Sequence, residues 1–103
     1  MLFSDIQKLL NYTKIIGKLP KKKIKKITNH SSEVEPGSLL VIHKKSNFKL
    51  FYLKEAISNG LIAILTDDNL KNIGITQIIV KDLNKEVLKI LKHRQPYKPK
   101  KTI

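Results

Sequence analysis

Three short apolar runs, residues 38–43 (Ser-Leu-Leu-Val-Ile-His), 61–65 (Leu-Ile-Ala-Ile-Leu) and 76–80 (Thr-Gln-Ile-Ile-Val), are separated by a stretch with helical spacing and by a polar loop. Continuous apolar runs of strand length suit strands buried on both faces of a sheet. Between the first two runs, Ser46 or Asn47 caps a helix whose inner side carries Phe48, Phe51, Tyr52, Ala56 and Ile57. Gly60 stops it as a glycine just past the last turn. After the third run, Asp82 or Asn84 opens another helix with Val87, Leu88 and Leu91, and His93 and Arg94 complement its C-terminal dipole. Strands alternating with helices imply an α/β fold, a small open and partly parallel sheet flanked by helices.

The remaining segments fill in this frame. Ser4 with Gln7 three residues on matches a capping box, Asp5 suits a first turn, and Ile6, Leu9 and Leu10 share one helical face. Gly17 and Pro20 end that element, so helices are expected near residues 4–16, 47–59 and 83–93. Lys21, Lys22, Lys23, Lys25 and Lys26 lead into a short strand at 24–28, and a polar loop then closes in the Pro36-Gly37 turn. Residues 67–74 form a polar loop with room for a helical turn. Gln95-Pro96-Tyr97-Lys98-Pro99-Lys100 is a linker by composition, and Lys101-Thr102-Ile103 is the first step of a new strand. Residues 1–94 are therefore expected to be one domain, and 95–103 a linker and the start of a second, with the chain cut at the boundary.

The 103 residues suffice for one core, and 41% hydrophobic with 28% charged residues is a globular balance. Without cysteine there is neither a disulfide framework nor a thiolate metal site. The N-terminal stretch holds Asp5 and Lys8 and lacks a signal peptide's cleavage site, and no apolar run could span a bilayer. These features point to the cytoplasm and to no membrane partner. The net charge of +13 attracts polyanions, but only Arg94 of the 21 basic residues is arginine. Lysine supplies charge without the planar fork that reads bases, so non-specific polyanion binding is expected.

From residue 28 to residue 65 the order is strand, polar loop His30-Ser31-Ser32, Val34-Glu35-Pro36-Gly37-Ser38-Leu39-Leu40-Val41-Ile42, Tyr52-Leu53-Lys54-Glu55-Ala56, then Gly60-Leu61-Ile62-Ala63-Ile64-Leu65. This resembles the N-terminal domain of the Mur ligases of peptidoglycan synthesis, most of all the UDP-N-acetylmuramoyl-tripeptide synthetase (MurE) type. There a strand ends in Asp-Ser-Arg, Val-x-Pro-Gly-Asp-Leu-Phe-Val-Ala follows, and an Asp-Gly-led helix precedes Gly-Ala-x-Ala-x-Val. A proline-bearing linker then runs into the phosphate loop of the central ATPase domain, and Pro96, Pro99 and Lys101-Thr102-Ile103 fit that position.

The resemblance implies a fragment that holds the uridine diphosphate (UDP) end of a UDP-N-acetylmuramoyl-peptide. The full-length enzyme would add a diamino acid to UDP-N-acetylmuramoyl-L-alanyl-D-glutamate, with ATP and magnesium held by other domains. Matched residue by residue, the substrate contacts fall on Asn29, Ser31, Ser46 and Asn47. His30 stands for the family's Asp and Ser32 for its Arg, which removes a bidentate anion partner. No glycine-rich phosphate loop and no nucleophile–histidine–acid set is present, so catalysis by this chain alone is not expected. His30, His43 and His93 lack metal-site spacing. The alternatives are a small lysine-rich RNA-associated protein and a remnant that folds without a ligand.

Overall fold

The computed structural model describes residues 1–45, 50–68 and 73–94. Among these residues five strands form one open sheet: β1 (Tyr12–Ile16), β2 (Lys26–Thr28), β3 (Ser38–Ile42), β4 (Leu61–Thr66) and β5 (Thr76–Val80). Their order is β1-β5-β4-β3-β2; β2 to β5 run parallel and β1 pairs antiparallel to β5. In the same described residues three helices accompany them, α1 (Ile6–Leu9), α2 (Leu50–Ser58) and α3 (Leu83–Arg94), with short 3-10 turns at Phe3–Asp5 and Ser31–Glu33. The chain is thus a mixed α/β domain with a mostly parallel sheet.

Alternation along the buried strands divides the core in two. Leu39 of β3, Ala63 and Leu65 of β4 and Ile78 and Val80 of β5 face one side, where Phe3, Ile6, Leu10, Leu83 and Ile90 close over them. Leu40, Ile42 and Ile64 face the other, where Val34 and the α2 residues Leu53 and Ala56 pack, joined by Leu61 at the register shift that opens β4. Each fully buried side chain of this size contributes about 1.5–3 kcal/mol, so two-sided burial fixes β4, with β3 and β5 on either side, as the centre.

Three expectations are corrected. The helix expected over 4–16 is a 3-10 turn, Phe3–Asp5, and a single α-helical turn, Ile6–Leu9, followed by a strand. Its reciprocal cap runs from the Leu2 N–H to the Asp5 carboxylate at 2.9 Å, two residues before the Ser4 expected. Tyr12–Ile16 leaves the helix because Thr13, Ile15 and Ile16 are β-branched and β5 offers an edge to pair with. On α2, Leu53 and Ala56 point inward, whereas Phe51 is 70% exposed. Phe48, Ser46 and Asn47, and the tail 95–103, lie outside the described residues.

The third correction shapes the site. On α3 the sheet-facing row is Leu83, Glu86, Val87 and Ile90, at the i, i+3, i+4, i+7 spacing, while Leu88 is 55% exposed. Glu86 turns inward because its carboxylate accepts the Asn11 N–H at 3.2 Å and pairs with Lys89 at 3.1 Å. That rotation leaves Leu88 and Leu91 beside the sheet edge rather than on it.

Candidate functional site

Because β2 and β3 run parallel, their carboxyl ends open at the same rim of the sheet, and α3 stands beside them. The space between is a groove of about 550 Å³ lined by Ile27 and Val41 from the strands, by Val87, Leu88 and Leu91 from α3, and by a polar rim. The rim consists of Thr28, Asn29, Glu33, His43 and Asn84. Clefts of this size with an apolar floor and a few convergent polar groups bind small molecules, and in open α/β sheets they sit at the carboxyl ends of strands.

Each rim residue is held by identifiable bonds. The Thr28 hydroxyl donates to Glu33 Oε1 at 3.0 Å and accepts the His30 N–H at 3.1 Å, which folds the chain back on leaving β2. The 3-10 turn then closes with Glu33 N–H to His30 carbonyl at 3.0 Å, and Val34 anchors it in the core. The loop returns through Pro36-Gly37: the Ser38 N–H reaches the Glu35 carbonyl at 3.1 Å and the buried Ser38 hydroxyl accepts the Glu35 N–H at 2.9 Å. Gly37 takes φ +90°, as the third residue of a turn with proline before it requires. Asn29 and Glu33 are therefore presented by a loop pinned at both ends.

His43 directly follows β3 and lies between two side chains. Its Nε2 is 3.3 Å from Asn84 Oδ1 and its Nδ1 is 3.5 Å from Asp67 Oδ2. The other oxygen of Asp67 accepts the Lys44 N–H at 2.8 Å, which ties the end of β4 to the end of β3. Asp82 caps α3, accepting the Lys85 N–H at 3.2 Å. With Asp82 as the cap, Asn84 is left to face the groove.

Of the residues singled out in the sequence, Asn29 lines the groove, and Ser31 begins the 3-10 turn, where its carbonyl accepts the Val34 N–H at 3.3 Å. Ser46 and Asn47 lie outside the described residues. Thr28, Glu33, His43 and Asn84 were not singled out as site residues. The available signal was position: a polar residue at the end of a buried parallel strand, as His43 is, falls at the rim where clefts form.

A second cavity of about 560 Å³ is lined by Ile16, Gly17, Ile62 and residues 73–77, and none of these described residues has a titratable side chain. A third, of about 350 Å³, is bordered by Tyr12, Asp82, Lys85 and Glu86, of which Asp82 and Glu86 already serve α3. Among the described residues no group of three His, Asp or Glu could hold a metal ion, and no helix is long and apolar enough to cross a membrane. The groove can bind and orient a ligand.

No family model matches the chain, and no curated protein matches it in sequence. In three dimensions the chain is similar to a crystal structure of MurF from Acinetobacter baumannii, with TM-score 0.69 and 18% identity over 92% of this chain and 21% of that one. A second MurF crystal structure from that organism gives TM-score 0.59 and 20% identity, over 77% and 17%. A UDP-N-acetylmuramoylalanyl-D-glutamyl-2,6-diaminopimelate–D-alanyl-D-alanyl ligase from the same organism gives 0.58 and 20%, over 77% and 18%. The chain spans about a fifth of the length of these structures, and the likeness is one of fold.

Proposed function

We propose that this chain is the N-terminal substrate-binding domain of a Mur ligase and holds the uridine diphosphate end of a UDP-N-acetylmuramoyl-peptide. The observation that carries the reading is the groove at the carboxyl ends of β2 and β3, beside Asn29. Its chemistry is suited to a nucleoside. Uracil presents an N–H between two carbonyls, and the Asn29 amide offers an acceptor and a donor to match it. The Glu33 carboxylate accepts ribose hydroxyls, and the apolar wall of Val87, Leu88 and Leu91 covers the ring face. The diphosphate extends toward His43, Lys44 and Lys45. Ser31, Ser46 and Asn47 keep the contacts that the motif order gives them.

Motif order favours the tripeptide-synthetase branch, whereas the solved structures of similar fold are MurF ligases. The UDP end is common to both, and the proposal concerns that end. The parent reaction would be ATP-dependent amide formation. The sequence holds no phosphate loop to carry it, so no phosphoryl-transfer step is assigned to these residues.

The test is an NMR titration with UDP and, separately, with uridine, which has no charge to attract lysines. Amides of Thr28 to Glu33 and of His43 to Lys45 should shift saturably with both ligands. Without the family arginine, a charge-assisted bond of about 1.5–3 kcal/mol is missing, so dissociation constants should fall in the millimolar range, ~1 mM or weaker. Asn29→Ala should weaken uridine about 2- to 10-fold, the worth of one neutral hydrogen bond, and leave the melting curve unchanged. If the rim amides stand still while lysine amides respond to UDP, the reading fails.

A further inference from the structure

The segment joining β1 to β2 passes along the amino ends of the parallel strands, away from the groove, and its lysines are unusually dense. Lys18, Lys21, Lys22, Lys23 and Lys25 are all exposed, and Lys26 follows. The backbone that carries them is bonded along its length. The Thr76 hydroxyl donates to the Lys18 carbonyl at 2.7 Å, the Phe3 N–H to the Lys22 carbonyl at 2.8 Å, the Ile24 N–H to the Met1 carbonyl at 2.9 Å, and the Lys25 N–H to the Gly37 carbonyl at 3.0 Å. Lys23 forms a bridge with Leu2, Leu19 packs against the core, and Ile24 is buried within it.

Acidic neutralisation is sparse. Among the described residues the ion pairs are Lys26–Glu35, His43–Asp67 and Lys89–Glu86, so none uses Lys18, Lys21, Lys22 or Lys23. Asp5, the neighbouring carboxylate, already accepts the Leu2 N–H. The exposed lysines thus sit on a pre-ordered backbone, and the ordering entropy of the main chain is already met before any partner arrives.

We propose that this strap, from Lys18 to Lys26, is a binding surface for the phosphodiester backbone of double-stranded nucleic acid. The six residues from Lys21 reach at most about 17 Å at ~3.3 Å per residue. A duplex carries one charge per ~1.7 Å of axis, so several phosphates lie within that reach. The surface lacks the features other anionic partners need. It exposes no aromatic side chain on which the bases of a single strand could stack. Its apolar residues, Leu19, Pro20 and Ile24, are half-buried or buried, which leaves a lipid bilayer nothing to take up beyond charge. It has no arginine to read a base edge, so recognition is of charge and not of sequence.

The experiment compares two variants of equal charge by fluorescence anisotropy on labelled 20-base-pair DNA and RNA duplexes between 50 and 200 mM NaCl. One carries Lys18→Gln, Lys21→Gln, Lys22→Gln and Lys23→Gln; the other carries Lys54→Gln, Lys81→Gln, Lys85→Gln and Lys92→Gln on exposed positions elsewhere. With about four phosphates neutralised, the unaltered protein should lose roughly 150-fold in affinity across that salt range, without preference for duplex sequence. The strap variant should lose most of that salt dependence, about 0.9 logarithmic units of slope per lysine, and the control less than one unit in all. Equal losses in both variants would overturn the proposal, because diffuse charge would then do the binding. So would no binding to either duplex, or strap-dependent binding to phosphatidylserine vesicles in place of duplexes. None of these outcomes touches uridine binding in the groove.

Discussion

At the scale of single residues, the sharpest constraint is where Gly60 meets Pro36. Gly60 has φ +101°, and a Cβ there would lie 2.6 Å from Pro36 Cα and 2.9 Å from Pro36 N. Both neighbours are backbone atoms of the turn that returns the rim loop to β3, so no flexible side chain can give way. Gly60→Ala combines a left-handed backbone penalty of about 1–2 kcal/mol with overpacking of about 1–3 kcal/mol. We expect a loss of about 2–5 kcal/mol by urea denaturation; a loss below about 1 kcal/mol would show that the turn moves freely. The sequence made Gly60 legible as a helix stop, which it is: the Gly60 N–H reaches the Ile57 carbonyl at 3.1 Å. Its contact with Pro36 was not legible, because the two are 24 positions apart and meet only when β3 and β4 pair. Asn29, expected from motif order, lines the groove, whereas Asn84 was hidden by its equal fitness as a helix cap. Glu86 was hidden more completely, since a charged residue on a helix reads as solvent-facing until the unpaired Asn11 N–H is brought beside it.

Among the elements, legibility followed burial. β3, β4 and β5 are continuous apolar runs, and the structure places them at their expected positions to within a residue. The chain from Tyr12 to Ile16 failed as a helix because its hydrogen-bond partner, β5, is more than 60 residues away, and a window reading weighs only neighbours. The same distinction orders local stability. β4 lies between two parallel partners and is buried along nearly its whole length, whereas β1 is an edge with Tyr12, Thr13 and Lys14 exposed. Amide exchange should therefore be slowest in Ala63, Ile64 and Leu65, approaching global unfolding, and faster in Thr13 and Lys14. If β1 amides exchanged as slowly as those of β4, the edge strand would belong to the same cooperative unit and the inference from burial would be wrong.

For the molecule as a whole, charge opposes cohesion. A net +13 on a body with a radius of gyration of 13.6 Å places like charges within each other's field. At 10 mM salt the screening length is about 30 Å, so most lysines repel most others; at 150 mM it is about 8 Å, and only neighbours interact. The attractive side is small: three ion pairs join described residues, and exposed pairs such as Lys26–Glu35, at 3.7 Å, contribute about 0–1 kcal/mol each. Repulsion in the folded state exceeds that in the expanded chain, because unfolding moves the charges apart. Raising NaCl from 10 to 150 mM should then stabilise the domain by about 1 kcal/mol, a rise of roughly 4–8 °C in Tm. The measurement is thermal unfolding by circular dichroism in NaCl and KCl, which should give the same curve if screening is the cause. A Tm that falls with salt would mean that attraction between charges outweighs repulsion, contrary to this account. The sign also separates folding from binding at the strap. The same salt that strengthens the fold weakens the hold on a duplex, so a loss of duplex affinity between 50 and 200 mM cannot arise from unfolding.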